Sequence, residues 1–261
     1  MQFDNHERTL LLLVTVGAAA MITLGSSVNV AEASSTEDIL ESEGGLVIPT
    51  YGWKNDWEEM VQVKSEHAEV EIIVAINPSN GVGNGRDAHW RDVIGVLQEG
   101  DVNVVGYIST GYGSRSQDEV KQEVKNYYKW YEDIDGVFLD EQSANVDLVG
   151  YYEEIYEYAK ELDEGKIIVA NPGAPVPEEY VDTADLIMVY ENAGIPDDVS
   201  QDWMEDYDKN HFGAIPYGVN ADESSYKKLH EQVGFVYVAP DASWMSLKND
   251  SIRNQVHWAD D

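Results

Sequence analysis

What most constrains this chain is a rhythm that begins at Leu46 and runs almost to the C-terminus: short β-branched, apolar runs alternate with longer amphipathic stretches. That alternation is the mark of βα units wound around a parallel sheet. Eight such runs are predicted as strands: Leu46–Tyr51, Glu71–Asn77, Asn103–Ser109, Gly136–Asp140, Lys166–Asn171, Asp185–Tyr190, Phe212–Tyr217 and Gly234–Val238. Between them, Leu148, Tyr152, Ile155, Ala159 and Leu162 recur at spacings of four and three, which puts one apolar stripe of a helix against a sheet. Helices are therefore expected to separate the strands. Eight strand–helix units in residues 46–261 predict a single-domain (β/α)8 TIM barrel, whose active sites lie on the loops after the carboxyl ends of the strands.

A doubly wound sheet is the rival, but it usually carries a Gly-rich phosphate loop after its first strand. Here that place is taken by Pro49, Thr50, Tyr51, Gly52 and Trp53. The Gly81, Gly83, Gly85 cluster after the second strand lacks the Lys and Ser/Thr of a phosphate-binding loop and reads as a tight βα turn. Trp57, Trp90 and Trp130, at helical positions, read as packing residues.

Charge removes whole classes of function. With 50 acidic and 16 basic side chains the net charge is −34, and such a chain repels phosphate backbones, so no nucleic-acid partner is expected. The same acids do not make a disordered tail, because 43% of the chain is hydrophobic and 10% aromatic. They are spread over nearly every helix-like segment, which predicts a surface adapted to high salt. Cysteine is absent, so disulfides, thiol nucleophiles and Cys-based metal sites are excluded. The histidines His6, His67, His89, His211, His230 and His257 form no i, i+4 pair, and no G-x-S-x-G elbow is present. No metal and no cofactor are therefore expected.

Residues 1–33 read as an export signal. Arg8 precedes the 15-residue apolar run Leu10–Leu24, and Ala31, Glu32, Ala33 form an A-x-A-like cleavage site. The run is short for a bilayer span of about 20 residues, and an uncleaved anchor is the alternative. Either way the chain is expected outside the cell. Residues 34–45, rich in Ser, Glu and Gly, read as a flexible lead-in to the barrel.

The strand ends gather polar and aromatic side chains, and two carboxylate positions stand out among them. Asp140 and Glu141 follow the apolar run Gly136–Leu139, and Glu191 follows Leu186–Tyr190. An acid that ends a buried strand is held by the barrel and partly desolvated, a setting that raises a carboxyl pKa. Glycoside hydrolysis needs two such groups flanking the scissile bond. Strands four and six are one neighbour apart, roughly 9 to 10 Å between axes, which leaves retaining and inverting geometries both open. Adjacent strand residues point to opposite sides, so Asp140 and Glu141 share the mouth only if the chain bends there. Asp140 and Glu191 are read as the catalytic pair, with Glu141 a third carboxylate that orients, charges or exchanges roles with Asp140. Helix caps or loop anions are the plainer reading of all three.

Asn77 and Asn171, each followed by Pro, either present amides to a ligand or punctuate loops. Tyr51, Trp53, Tyr107, Tyr112 and Tyr217 fall on or near the same rim and offer ring faces and hydroxyls to a sugar.

At these residues the chain resembles the spherulin-4 family of secreted (β/α)8 proteins, related to glycoside hydrolases that cleave α-1,4-linked N-acetylgalactosamine or galactosamine polymers. The resemblance is carried, in order, by Val47–Tyr51, Ile76–Gly81 with Gly83, Gly106–Gly113, Asp135–Glu141, Asn171–Gly173 and Val189–Glu191. It implies that Asp140, Glu141 and Glu191 are the functional acids, and that the partner is an amino-sugar polysaccharide. The expectation is a secreted, metal-independent, endo-acting glycoside hydrolase. The alternative is a non-catalytic glycan-binding surface or matrix protein on the same barrel, against which the retention of all three acids argues.

Overall fold

The computed structural model describes residues 35–50, 57–241 and 249–260. The expected leader, Tyr51 and Trp53 lie outside them. Eight parallel strands close into a barrel in chain order, with β8 pairing back onto β1. They are β1 Gly45–Thr50, β2 Glu71–Ile76, β3 Asn103–Ser109, β4 Gly136–Asp140, β5 Ile167–Asn171, β6 Leu186–Ala193, β7 Phe212–Tyr217 and β8 Phe235–Val236. The eight-stranded parallel barrel read from the alternation is the observed fold.

Helices α2 (Trp57–Glu66), α3 (Ala88–Glu99), α4 (Gln117–Trp130) and α5 (Val149–Leu162) follow the first four strands. Helix α6 (Glu223–His230) joins β7 to β8, and α7 (Asn249–Asp260) follows β8. The stripe predicted for α5 is buried at Tyr152, Ile155 and Ala159, while Leu162, in the last turn, is 41% exposed. Trp57 and Trp90 are buried as helix-packing residues.

Helices do not separate all the strands. The β5–β6 connection holds only a 3-10 segment, Glu178–Thr183, and the β6–β7 connection holds the 3-10 turns Asp202–Asp206 and Lys209–His211. Pro172, Pro175 and Pro177 crowd the first of these. Each removes a backbone donor and drives the preceding residue out of the helical region, so no α-helix is nucleated there.

The lead-in is not a flexible linker. Thr36–Glu41 forms a short helix, α1, opened by a capping box in which Ser35 and Asp38 exchange hydrogen bonds. Its Ile39 is buried, and the buried Asn210 amide donates to the carbonyls of Leu40 (2.8 Å) and Ser42 (2.7 Å). The polar composition was masking one apolar anchor and two satisfied helix-end carbonyls.

At the amino ends of the strands a staple recurs. Asp135 N–H donates to the Val104 carbonyl (2.8 Å) while the Asp135 carboxylate accepts from Val104 N–H (2.6 Å). Asp185 does the same with Ile168, at 2.9 Å and 2.7 Å. Each acid thus ties the start of an even-numbered strand to the strand before it.

Which side chains enter the barrel follows from close packing on β3. A Cβ on Gly106 would lie 2.5 Å from the Tyr127 ring of α4, so Gly106 faces the helices. Tyr107 and Ser109 therefore face inward by the period-two rule. Register carries that face across the sheet: Tyr107 lies beside Phe138, Ser109 beside Asp140, and Asp140 beside Asn171.

Candidate active site

The inward residues at the carboxyl ends of β3, β4, β5 and β6 meet at the mouth. Asn171, buried at the end of β5, donates from Nδ2 to Asp140 Oδ1 (2.8 Å) and, with the second proton of the same amide, to Glu191 Oε2. One amide group has two protons, and each carboxylate takes one. The reverse amide orientation would set its oxygen against both carboxylates, so the chemistry fixes the assignment. The Asn171 Oδ1 is buried with no donor reaching it among the described residues.

Glu191 reaches the mouth through a bulge. On the β7 side, Met188 pairs with Gly213 and Glu191 with Ile215, three residues against two. On the β5 side, Gly173 donates to the Met188 carbonyl (3.1 Å) and accepts from Glu191 N–H (2.9 Å), again spanning one residue more than a regular ladder. A Cβ on Gly213 would sit 2.6 Å from Met188 Cε, which sets Met188 and Gly213 on one face. An odd spacing on a regular strand would send Glu191 to the opposite side. The extra residue cancels that reversal.

Glu141 reaches the mouth through a turn. Its φ is +53°, the left-handed region, which costs a residue with a Cβ about 1–2 kcal/mol. The chain thus bends immediately after β4, and the Glu141 carboxylate accepts a hydrogen bond from the Ser109 hydroxyl, on the face that Asp140 occupies. The condition set by strand alternation, a bend between the two acids, is met.

Burial pushes the Asp140 carboxyl above its usual range. Three donors oppose this, the Glu141 N–H, the Tyr107 hydroxyl and the Asn171 amide, while the Glu141 charge reinforces it. Burial likewise raises Glu191, where only the Asn171 amide opposes it and the Asp140 charge adds to it. The two carboxyls share a donor, and the Asp140 charge works against ionisation of Glu191.

The remaining rim residues divide. Tyr107 is buried and supports Asp140 from below, while its own carbonyl accepts from the Tyr127 hydroxyl (2.9 Å). Tyr112, on the 3-10 turn Gly111–Gly113, is 63% exposed and lies beside the acids, with its N–H on the Glu141 carbonyl (2.7 Å). Tyr217 ends β7 half-buried against the core, and its carbonyl accepts from Gly194 N–H (3.0 Å). Asn77 closes its own loop by accepting from Gly81 N–H (2.8 Å), so its amide oxygen serves the turn. Tyr51 is outside the described residues.

Sequence reasoning missed Thr110 and Tyr152. Both are fully buried: the Thr110 hydroxyl bears on the backbone carbonyls of the two adjacent acids, and the Tyr152 hydroxyl meets that of Thr110. Thr110 sits inside a Ser-Thr-Gly run that reads as loop, and Tyr152 inside a helical stripe that reads as core; only their three-dimensional meeting marks them.

Residues 45–257 match the spherulation-specific family 4 (Spherulin4). Spherulin-4 of Physarum polycephalum is 29% identical over 151 residues, covering 57% of this chain and 45% of that protein; the chain thus spans less than half of that relative's length. Among solved structures, Aspergillus clavatus Sph3 in complex with GalNAc superposes with a TM-score of 0.70 at 19% identity, over 85% of this chain and all of that one. A cyclic α-maltosyl-(1→6)-maltose hydrolase from Arthrobacter globiformis superposes with a TM-score of 0.54 at 11% identity, over 87% of this chain and 83% of that one. At such identities these two likenesses are likenesses of fold.

Proposed function

The chain belongs to the spherulation-specific family 4, and from that premise we propose that it is a glycoside hydrolase acting on α-linked N-acetylgalactosamine- or galactosamine-containing polysaccharide. The observation that carries the reading is the single Asn171 amide holding Asp140 and Glu191 together in a partly desolvated mouth. Two acceptors on the two protons of one NH2 group lie roughly 5 Å apart at ordinary hydrogen-bond lengths. That separation suits a retaining reaction, for which about 5–5.5 Å is typical, better than the 6.5–9.5 Å of inverting enzymes. The amino-sugar class is supported by the GalNAc bound to the Sph3 relative.

Roles follow from the donors. Asp140, with three donors favouring its anion, is the nucleophile; Glu191, with one, is the better proton holder and the general acid. Glu191 protonates the leaving oxygen as Asp140 bonds to the anomeric carbon and the glycosidic bond breaks. Glu191 then takes a proton from the water that displaces Asp140. The exposed Tyr112 ring offers a face to the incoming sugar. The acid-rich composition and the apolar run Leu10–Leu24, read as an export signal, further support an exported enzyme working in salt.

The test is release of reducing ends from such polymers in molar salt. Glu191→Gln and Asp140→Asn are each expected to lose about 10²–10⁴-fold in kcat. Unchanged turnover in both variants, or tight glycan binding with no turnover in the parent, would defeat the proposal, the latter in favour of a glycan-binding protein.

A further inference from the structure

We propose that the Thr110 and Tyr152 hydroxyls form a positioning pair that holds the Glu141 carboxylate on the catalytic face; the inference rests on the acid assignments above. Proton counting orders the contacts. Ser143 N–H can only donate, and it lies 2.8 Å from the Tyr152 hydroxyl oxygen, so that oxygen accepts. Tyr152 turns its own proton to Thr110 Oγ1, 3.1 Å away. The peptide carbonyls beyond have no proton to give, so Thr110 donates to the Glu141 carbonyl (2.7 Å), with the Asp140 carbonyl at 3.0 Å as the longer branch. Thr110 N–H also holds the Asp140 carbonyl (2.9 Å), and Tyr112 N–H holds that of Glu141 (2.7 Å). The Tyr152 and Thr110 hydroxyls thus each accept one bond and turn their proton onward, Thr110's shared between two carbonyls.

The side chains come from places far apart in sequence: Thr110 from the loop after β3, and Tyr152 from α5. Tyr152 packs edge-on to Tyr151 (4.8 Å between centroids) and against Tyr180 (5.8 Å), whose hydroxyl grips the same β4–α5 loop at the Asn145 carbonyl (2.7 Å). A left-handed glutamate persists only where its surroundings over-determine it. Were the chain to continue as regular strand, Glu141 would turn away from Asp140 and lose Ser109. The hydroxyl pair therefore decides on which side of the sheet the third acid stands.

Thr110→Val keeps the shape and removes the hydroxyl; Thr110→Ser keeps the hydroxyl. The valine variant is expected to lose about 10- to 100-fold in kcat with KM within about threefold, as a displaced reacting group does, and the serine variant to stay near the parent. In a Glu141→Gln background the valine substitution is expected to add nothing, because it acts through Glu141. A folded Thr110→Val with unchanged kcat, a serine variant as impaired as the valine, or additive losses in the double variant would overturn the proposal. Should Thr110→Val fail to fold, Tyr152→Phe, which removes the donor to Thr110 together with the acceptor of Ser143 N–H, is expected to lose several-fold in kcat, and full activity there overturns it equally. A crystal structure of whichever variant folds separates this inference from the functional one. If the parent cleaves no amino-sugar glycan, departure of Glu141 from positive φ still supports the positioning role, and an unmoved Glu141 refutes it.

Discussion

Glu141 carries backbone strain and a like charge beside Asp140, both of which work against the fold. A residue kept for packing would not combine them. Glu141→Asn places a residue that tolerates positive φ at the turn and removes the repulsion, at the loss of one bond from Ser109. The variant is expected to melt at or above the parent temperature, by up to a few degrees, while turnover collapses. Differential scanning calorimetry beside a polymer-cleavage assay checks both halves, and a melting point several degrees lower would make the acid a structural one. Asn171 is the opposite case. Its residue type was legible as an amide at a strand end, but no pattern in the chain says that its two protons go to two different carboxylates, because that depends on strands β4 and β6 flanking β5.

At the scale of elements, the strands were readable because each is a compact apolar run, and seven of those runs coincide with the observed strand to within two residues. The sixth was read short, ending at Tyr190, where the strand continues to Ala193. The run Met188, Val189, Tyr190 is apolar throughout, so it contains no alternation to betray the extra residue. Helix α1 was missed for the reverse reason: six residues give too little periodicity, and the one usable signal was the Ser35, Asp38 spacing of a capping box. The bulge depends on Gly173, whose φ is +61° and whose hypothetical Cβ would lie 3.1 Å from Glu191 Cβ and 3.7 Å from Asn171 Oδ1. Gly173→Ala is expected to destabilise the fold by about 1–2 kcal/mol and to shift Glu191. The shift would appear as a lower kcat and an altered alkaline limb in the pH–rate profile, with an unmoved limb arguing that Glu191 is not the acid. A one-residue deletion before Glu191 in β6 would do the same more severely, since it reverses the side on which the carboxylate emerges.

Over the whole molecule, charge acts at two separate ends of the barrel. Asp135, at the amino end of β4, lies roughly 16 Å along the strand from Asp140. Burial pushes its carboxyl from 3.8 up to about 6, against the opposing hydrogen bonds from Val104 N–H and the Gln98 amide. Its folded value exceeds its unfolded one, so the stability it contributes is fully present below about 4 and is lost as pH rises through about 6. The parent is therefore expected to gain melting temperature as pH falls from 7.5 to 5, and Asp135→Asn, which keeps an acceptor for Val104 N–H, to flatten that rise. An identical slope in both proteins would remove Asp135 from the account. Salt should raise the melting temperature in the same direction, because screening relieves the self-repulsion of a chain at −34. In the proposed reaction Asp140, at the other end, follows the opposite law, since protonation silences a nucleophile. Acid that firms the floor of the barrel would, once it protonates Asp140, silence the opening without unravelling the fold, so the proposed activity would return when the medium is neutralised.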